Sequence, residues 1–353
     1  MKNKTEVNKC TYELDTEDRI LEYDAKRAFG WEKEYKIYRD AWHNNPKNLD
    51  AGMYPLNVDL EMTAICNLKC PMCFLQSPNM EEIKGERLIN PDLFKKIVDE
   101  MAEANIPALR LNFRGEPTLH PNFIELIKYA KEKGIKEICM NTNGSKLNPE
   151  FFEQMAPYLD WIVVSIDGLD ETYEKIRKPI KFNSLLENLS KTIEIKKKLN
   201  LKRPVIKAQT IWTAIEHDPE AYYNRLAPHV DLVGYSPTYN YDEAYGTYDS
   251  SLYENKEEFA CPTLYQRLLI LSNGKSVLCC TDSNSKCIVG DANTQTIKEI
   301  WNGKVLSNIR KLHENGNYDQ VALCKTCCNS RKMEDLKTIS INNRNVTIKN
   351  YKE

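Results

Sequence analysis

The sequence lacks any long apolar segment. Its first ten residues, MKNKTEVNKC, contain no apolar run, so no secretory signal is visible. No segment reaches the roughly 18 apolar residues that a membrane-spanning helix needs. These absences predict a cytoplasmic protein without a membrane partner, in a compartment where thiols stay reduced.

The sequence also lacks an excess of charge of either sign. Lys and Arg total 49 and Asp and Glu total 51 among 353 residues, which gives a formal net charge of −2. Proteins that bind nucleic acid through bulk electrostatics carry a basic excess, so we expect no nucleic-acid partner. The length allows one large domain with a full core and a smaller second domain.

Cysteine, in contrast, is abundant, with 12 residues in the chain. In a reducing compartment this indicates metal or redox chemistry more than disulfides. Cys66, Cys70 and Cys73 have the spacing C-x3-C-x2-C. Zinc sites usually close with four ligands, whereas three cysteines on one loop can hold three irons of a [4Fe-4S] cluster. The remaining iron then lacks a protein ligand, and a small molecule with an amine and a carboxylate could chelate it.

Strand-like and helical patterns alternate between Pro55 and Pro237. The strand-like runs are residues 56–62, 108–113, 135–140, 161–166, 204–211 and 230–235. This alternation predicts an α/β fold with a parallel sheet and helices outside, a partial (β/α)6 TIM-like barrel. Its active site belongs at the carboxyl ends of the strands, where the cysteine loop follows the first strand.

The pattern divides the chain into four regions. We expect an N-terminal helical extension (1–50), a main α/β domain (51–237), a small domain (238–335) and a C-terminal tail (336–353). The extension is expected either to pack on the outside of the main domain or to bind a partner. The small domain is expected to contain a hairpin that turns at Asn273-Gly274, followed by a helix from about 296 to 313. Because seven cysteines lie between 261 and 328, metal should hold this domain more than an apolar core.

The cysteine loop after the first strand resembles the radical S-adenosylmethionine (SAM) superfamily over residues 55 to about 237. Asn112-Phe-Arg-Gly-Glu-Pro117 is similar to the family's Gly-Gly-Glu-Pro motif, which holds the SAM amino group. It keeps Gly115 and Glu116 but has Arg114 in place of the first glycine. Asn141-Thr-Asn-Gly144 and Ser165-Ile-Asp-Gly168 close the next two strands.

This resemblance implies a ligand set and a chemistry. Cys66, Cys70 and Cys73 would hold the first cluster, and the SAM-binding residues would be Phe74, Gly115, Glu116, Asn143, Ser165 and Asp167. The reduced cluster would cleave SAM to methionine and a 5′-deoxyadenosyl radical, which abstracts a hydrogen atom from an unactivated C–H bond. A flavodoxin- or ferredoxin-type protein would donate the electron.

A second cysteine set resembles the SPASM/twitch extension of the same superfamily. Twelve residues separate Cys261 from Gly274 and four separate Gly274 from Cys279, with Cys324 and Cys327 further on. The shorter twitch form, with one auxiliary [4Fe-4S] cluster, fits better because no cysteine follows Cys328. The ligands would be Cys261, Cys279, Cys324 and Cys327. A zinc site stays an alternative, Cys280 or Cys328 can replace its neighbour as a ligand, and the roles of Cys287 and Cys328 stay open.

Two main reactions can follow the hydrogen abstraction. The cysteine spacing is most similar to that of an aminocyclitol dehydrogenase of this twitch type, which favours oxidation of a sugar-like or aminocyclitol alcohol. The alternative is epimerisation or cross-linking of a peptide or sugar, for which Cys280 is the candidate hydrogen donor. A non-catalytic iron–sulfur electron carrier is a third hypothesis. Arg177, Tyr235 and Tyr239 are expected near the site, without an assigned role.

Overall fold

The computed structural model describes residues 11–77, 80–83, 85–237, 254, 256 and 259–351. Tyr239 and most of the segment from 238 to 258 lie outside the described residues. The helices are α1 Glu17–Ala28, α2 Glu32–Asn48, α3 Pro91–Glu103, α4 Phe123–Glu132, α5 Pro149–Met155, α6 Asp170–Ile176, α7 Phe182–Lys198, α8 Pro219–Leu226, α9 Ile297–Trp301, α10 Lys304–Glu314 and α11 Ala322–Lys325. The strands are β1 Tyr12–Glu13, β2 Asn57–Leu60, β3 Ala108–Leu111, β4 Glu137–Thr142, β5 Trp161–Ser165, β6 Val205–Ile211, β7 Leu232–Ser236, β8 Arg267–Ile270, β9 Lys275–Val277, β10 Ile288–Asp291, β11 Met333–Ile341 and β12 Arg344–Tyr351.

One sheet organises the main domain. Its strand order is β1-β7-β6-β5-β4-β3-β2-β8-β9-β10, and β2 to β7 pair in parallel. The helices between these strands start at favourable caps: Asn90 precedes Pro91 in α3 and Asn148 precedes Pro149 in α5, and each asparagine side chain accepts a backbone hydrogen bond. The predicted α/β fold with six parallel strands is confirmed.

The two faces of this sheet differ sharply in polarity. Val58, Leu60 and Leu109 belong to the large apolar core that the outer helices complete. Side chains alternate along a strand, so the neighbours of these residues face inward. The inner face carries polar residues, and we call the space that it borders the lumen, defined by Asp59, Arg110, Asn141, Gln209 and Arg267.

The N-terminal extension packs on the main domain, where it lies across the strand starts. Trp31, Tyr35 and Tyr38 of this extension cluster with Ala108, the first residue of β3. Tyr23 packs on Val205 and Leu232, which begin β6 and β7. The extension therefore closes the amino-terminal end of the lumen.

A buried ion pair fixes this extension to the sheet. Arg27 of α1 donates to both carboxylate oxygens of Glu137, at 2.8 and 2.9 Å from one nitrogen, Nη2. Its guanidinium also stacks 4.4 Å from the Trp161 ring centre. Arg27 and Glu137 are only 7% and 2% exposed.

The small domain is not held separately from the main core, contrary to the sequence prediction. The hairpin turning at Asn273-Gly274 is present, but β8 pairs in parallel with β2 and thereby extends the main sheet. Trp301 is fully buried in the main apolar core. The sequence pattern missed this because β8 follows a long connector and joins a distant strand. The predicted helix over 296–313 is two helices, because Gly303 starts α10 anew.

The C-terminal tail predicted over 336–353 forms a hairpin instead. Strands β11 and β12 pair along almost their whole length and turn at Asn342-Asn343, whose φ angles are +50° and +62°. Asparagine tolerates this left-handed region, which suits a two-residue hairpin turn. The hairpin packs against the β7 edge, where the backbone N–H of Lys349 donates to the Tyr235 hydroxyl at 2.9 Å. None of the helices in the described part of the chain is long and apolar enough to cross a membrane.

The buried pair predicts a specific loss of stability. Glu137→Gln leaves the Arg27 cation buried without its counter-charge, and we expect about 3 kcal/mol less free energy of unfolding. The matched control is Asp40→Asn, which removes the exposed Lys36–Asp40 pair and should cost below about 0.5 kcal/mol. Anaerobic urea unfolding followed by circular dichroism measures both. Equal losses would contradict the assigned role of the buried pair.

Candidate active site

The cysteine loop begins directly after β2, at the carboxyl edge of the sheet. The Cys66 sulfur accepts from the backbone N–H of Leu68 at 3.4 Å and from Asn143 Nδ2 at 3.8 Å. The Cys73 N–H donates to the Cys70 carbonyl at 3.0 Å, which closes a tight turn between these two cysteines. The loop thus presents its thiols toward the ends of β3 and β4.

The three thiols lie close enough to act on one another electrostatically. Burial raises the pKa of the Cys70 thiol, and the neighbouring charges of Cys73 and Cys66 raise it further. Burial likewise raises the pKa of Cys73, although the Leu75 N–H and Arg177 oppose this. Without metal these two groups are neutral thiols at pH 7, so binding of iron has to release their protons. The donor set of three convergent thiols fits a cluster that leaves one iron open.

Gly115 holds the next strand end against this loop. Its φ is +70°, and an added Cβ would lie 2.6 Å from the Ile65 carbonyl oxygen and 2.8 Å from the Ile65 nitrogen. The N–H of the next residue, Glu116, donates to the same Ile65 carbonyl at 2.8 Å. Only glycine permits this close backbone approach, so the β3 turn and the cysteine loop form one unit.

Glu116 connects this unit to the end of β4. Its Oε1 accepts from the hydroxyls of Thr118 and Thr142 at 2.7 Å each, and its Oε2 accepts from the Asn143 N–H at 2.7 Å. Burial raises the pKa of this carboxyl, and these hydrogen bonds act in the opposite direction. Oε2 has capacity for one further donor, which leaves room for the predicted SAM amino group.

Arg114 occupies the position where the resembled motif has glycine, and the structure supplies the reason. Its guanidinium donates to both carboxylate oxygens of Glu61, at 2.6 and 3.0 Å. Ser272, in the turn of the β8–β9 hairpin, donates to the same carboxylate through its hydroxyl at 2.9 Å. Arg114 and Glu61 are 4% and 0% exposed. Sequence reasoning missed Glu61, and the signal available was an acidic residue at the end of β2 together with the unexpected arginine.

The remaining candidate SAM residues extend the site across the sheet. Phe74 contacts Phe113, with 6.0 Å between ring centres. Ser165 is half-buried at the end of β5. Asp167 accepts from Arg177 Nε at 2.6 Å, and the charge of this arginine acts on Cys70 and Cys73. Tyr235, in contrast, is fully buried in the outer apolar core and does not face the lumen.

The second cysteine set lines one cavity. Thr281 and several apolar side chains form part of its wall. The wall also includes all four predicted auxiliary ligands, which are Cys261, Cys279, Cys324 and Cys327. Burial raises the pKa of the Cys261 thiol to about 11. The Thr281 hydroxyl lies 2.9 Å from the Cys279 sulfur. Four thiols around one enclosed space fit an iron–sulfur cluster, although within the described residues no three such side chains meet at the distances of a single metal ion.

Cys280 is exposed and does not line this cavity. The charges of Arg267, Asp59, Cys327 and Arg110 act on its thiol. Three of these residues line the lumen and the fourth is an auxiliary cysteine, so Cys280 lies between the lumen and the auxiliary site. Strand β9 ends at Val277, and both Cys279 and Cys280 follow it in the chain. Cys328 is buried beside Cys327, and the Cys287 N–H donates to Asp282.

Comparison with known proteins identifies both halves of the site. A family model for the radical SAM superfamily matches residues 60–217, and a model for SPASM, an iron–sulfur cluster-binding domain, matches residues 261–328. The chain is 26% identical over 274 residues to the tungsten-containing aldehyde ferredoxin oxidoreductase cofactor-modifying protein of Pyrococcus furiosus, covering 73% of this chain and 72% of that protein. It is 33% identical over 117 residues to the Fe-coproporphyrin III synthase of Methanosarcina barkeri, covering 33% of this chain and 28% of that protein.

Solved structures show the same fold at low sequence identity. BtrN in complex with AdoMet and 2-DOIA superposes with a TM-score of 0.53 and 16% identity, covering 82% of this chain and 98% of that chain. SuiB of Streptococcus suis bound to S-adenosylmethionine superposes with a TM-score of 0.51 and 13% identity, covering 76% of this chain and 71% of that chain.

Two cysteine sets predict two separable metal contents. Anaerobically reconstituted protein should hold about eight irons, from the four-iron count of each cluster. Joint replacement of Cys66, Cys70 and Cys73 by Ala should leave about four, whereas the control Cys139→Ala, a buried thiol on β4, should keep about eight. Iron and zinc analysis measures this. A wild-type content of about four irons and one zinc would contradict the auxiliary cluster.

The close approach at Gly115 predicts a local effect on the first cluster. Gly115→Ala should force the cysteine loop to move and should lose the first cluster's iron, because the new Cβ meets backbone atoms. The control is Gly134→Ala, which has a similar φ of +89° but no atom within 4 Å of the added Cβ. Iron analysis of both proteins, with circular dichroism as a folding check, separates the clash from backbone strain. Equal iron loss in both variants would refute the role of this contact.

Proposed function

Because the chain is a radical SAM protein with a C-terminal SPASM domain, we propose that it is an oxidoreductase that dehydrogenates a sugar-like alcohol bound in the lumen. The two domains bind iron–sulfur clusters and SAM. When bound, these groups supply a 5′-deoxyadenosyl radical that removes a hydrogen atom from a substrate C–H bond. Cys66, Cys70 and Cys73 would hold the first cluster, and Cys261, Cys279, Cys324 and Cys327 the auxiliary cluster.

The observation that carries this proposal is the convergence of the cysteine loop, the Gly115–Glu116 turn and Asn143 at one end of a polar lumen. Asn143 Nδ2 reaches both Cys66 and the Asn67 side chain, and its N–H binds Glu116. The cofactor and the substrate would therefore bind next to each other. An electron carrier needs no such lumen, which argues against the non-catalytic hypothesis.

The polarity of the lumen supports a hydroxylated substrate. The Asn112 Oδ1 and Gln209 Oε1 atoms are buried and have no hydrogen-bond partner among the described residues. Buried acceptors of this kind are costly unless a ligand donates to them, and substrate hydroxyl groups are suitable donors. Among the similar folds, the BtrN structure holds 2-DOIA. A further solved structure, native anSMEcpe with bound AdoMet and Cp18Cys peptide, superposes with a TM-score of 0.52 and 17% identity, covering 76% of this chain and 87% of that chain, so the fold does not decide between small-molecule and peptide substrates.

The auxiliary cavity supports oxidation as the second half of the reaction. Loss of one hydrogen atom leaves a substrate radical, and completing the oxidation to a carbonyl requires loss of one more electron and a proton. The auxiliary cavity is close to the lumen: Cys279 lines the cavity, and the charges of the lumen residues Arg267 and Asp59 act on the adjacent Cys280. A cluster held there is suitably placed to accept the electron. A flavodoxin- or ferredoxin-type protein is the proposed donor for the first cluster.

Epimerisation is the second candidate, and one observation favours it. Cys280 borders the lumen, where a thiol can return a hydrogen atom to the opposite face of a substrate radical. This outcome would leave the substrate's oxidation state unchanged. The thiyl radical left on Cys280 then has to regain one electron and one proton in each turnover, and a cluster held by the auxiliary cysteines would supply the electron while water supplies the proton.

The product mass distinguishes the two reactions. With dithionite and SAM, the protein should release 5′-deoxyadenosine, and metabolite mixtures from the source cell should yield a product lighter by two hydrogens. In heavy water an epimerase would instead add one deuterium, and Cys280→Ser would abolish this product. Cys139→Ser is the control: this thiol lies beside Arg110 on β4 but is only 3% exposed, and its replacement should keep the product. A deuterated, inverted product that disappears in Cys280→Ser would overturn the dehydrogenase proposal.

A further inference from the structure

Arg110 presents an incompletely used guanidinium to the lumen. Its Nη2 donates to the neutral Asn141 Oδ1 at 2.9 Å, and its guanidinium lies 5.4 Å from the Trp161 ring centre. The Nε atom is buried without a hydrogen-bond partner among the described residues. Among the residues that the structure describes, no carboxylate forms an ion pair with Arg110. A buried Nε without a hydrogen-bond partner is costly unless a ligand accepts from it.

Arg267 presents a second incompletely used guanidinium to the same space. Its Nη1 lies 3.5 Å from Asp59 Oδ2, which is a long contact, and its side chain is 24% exposed. The Nε atom is buried and also lacks a partner among the described residues. Trp42 supports the guanidinium from below, with 5.1 Å to the ring centre. Asp59 is the strand-register partner of Arg110 and also contacts Arg267, so the two arginines flank one carboxylate on the inner face of the sheet.

The carboxylates around this pair already have partners. Asp59 is 2% exposed on its side chain and accepts from Asn57 Nδ2 at 2.9 Å as well as contacting Arg267. Glu61 is occupied by Arg114 and Ser272. Glu137 is occupied by Arg27. The local excess is therefore positive, which suits an anion and disfavours an ammonium group.

The position relative to the cofactor residues is also suitable. Arg110 is level with Cys139 in the sheet, and its guanidinium reaches Asn141, which lies two residues before Asn143. Two residues of an extended chain span about 7 Å. A group bound at the Arg110 guanidinium would therefore sit about one side-chain layer below Asn143, with the rest of its molecule directed toward Glu116 and Asn143.

We propose that Arg110 and Arg267 together bind an anionic group, a carboxylate or a phosphate, on the alcohol that this protein oxidises. This deepens the proposed function, on which it rests, by assigning an acidic substrate rather than an aminocyclitol. Arginine forks bind both kinds of oxyanion through paired N–H donors. The unpaired acceptors of Asn112 and Gln209 would bind hydroxyl groups on the same molecule.

Anion binding to the reconstituted holoprotein tests the assignment. The probes are inorganic phosphate and acetate, and their binding is measured by isothermal titration calorimetry, with methylammonium as the cationic comparison. We expect one anion to bind, and Arg110→Met and Arg267→Met each to weaken it about tenfold. Arg225→Met, which removes an exposed arginine on α8, is the matched control and should bind like the wild type. Tighter binding by phosphate or by acetate identifies which acidic group is favoured.

A second measurement needs no variant and guards against misfolding. Iodoacetamide labelling of Cys280, followed by peptide mass spectrometry, should slow several-fold in the wild-type protein when the binding anion is present. Absence of binding by both anions, or equal binding in all three methionine variants, overturns the anion site, as does preferential binding of methylammonium. The release of 5′-deoxyadenosine is measured separately and does not depend on these binding results. The anion site and the radical chemistry can therefore be refuted independently of each other.

Discussion

The carboxylate of Glu61 is the interaction on which the arrangement of the two cysteine regions depends. It receives two hydrogen bonds from Arg114, beside the cofactor turn, and one from the Ser272 hydroxyl in the small domain's hairpin. Loss of one of these hydrogen-bond partners would leave the buried carboxylate partly unpaired, which is costly. The three segments therefore have to adopt their positions together. The exchange of a motif glycine for Arg114 is thus compensated by a charge at the end of β2. The hairpin that directly precedes Cys279 is positioned by the same carboxylate.

Polar pairing gives the lumen its chemical character. The inner face of a barrel can be filled with apolar side chains, and then it is only a core. Here Asp59, Glu61 and Glu137 are each satisfied by protein partners, whereas Arg110 and Arg267 retain unused donors. The apolar requirement of folding is met on the outer face, where Val58, Leu60 and Leu109 pack under the helices. Stability and ligand binding are therefore assigned to opposite faces of the same strands.

The sequence predicted the parts whose signal is local. Alternating apolar runs located the six parallel strands, and the spacing of Cys66, Cys70 and Cys73 identified the first metal loop. Long-range pairings were missed, because Glu61 and Arg114 are 53 residues apart and nothing in either segment specifies the other. Strand β8 joins β2 across more than two hundred residues, so the shared core was not visible. The β11–β12 hairpin was missed because most of β11 is exposed and polar, which removes the apolar alternation that marks a strand.

The N-terminal extension has a consequence for access to the lumen. Trp31, Tyr35 and Tyr38 pack across the start of β3, and Tyr23 packs on the starts of β6 and β7. Among the described residues, these strand starts are therefore covered, whereas the sheet stays open between β1 and β10. The residues that would hold the cofactor lie at the opposite, carboxyl end. A cofactor bound there would cover that end of the lumen and would help to keep water away from the reacting carbon.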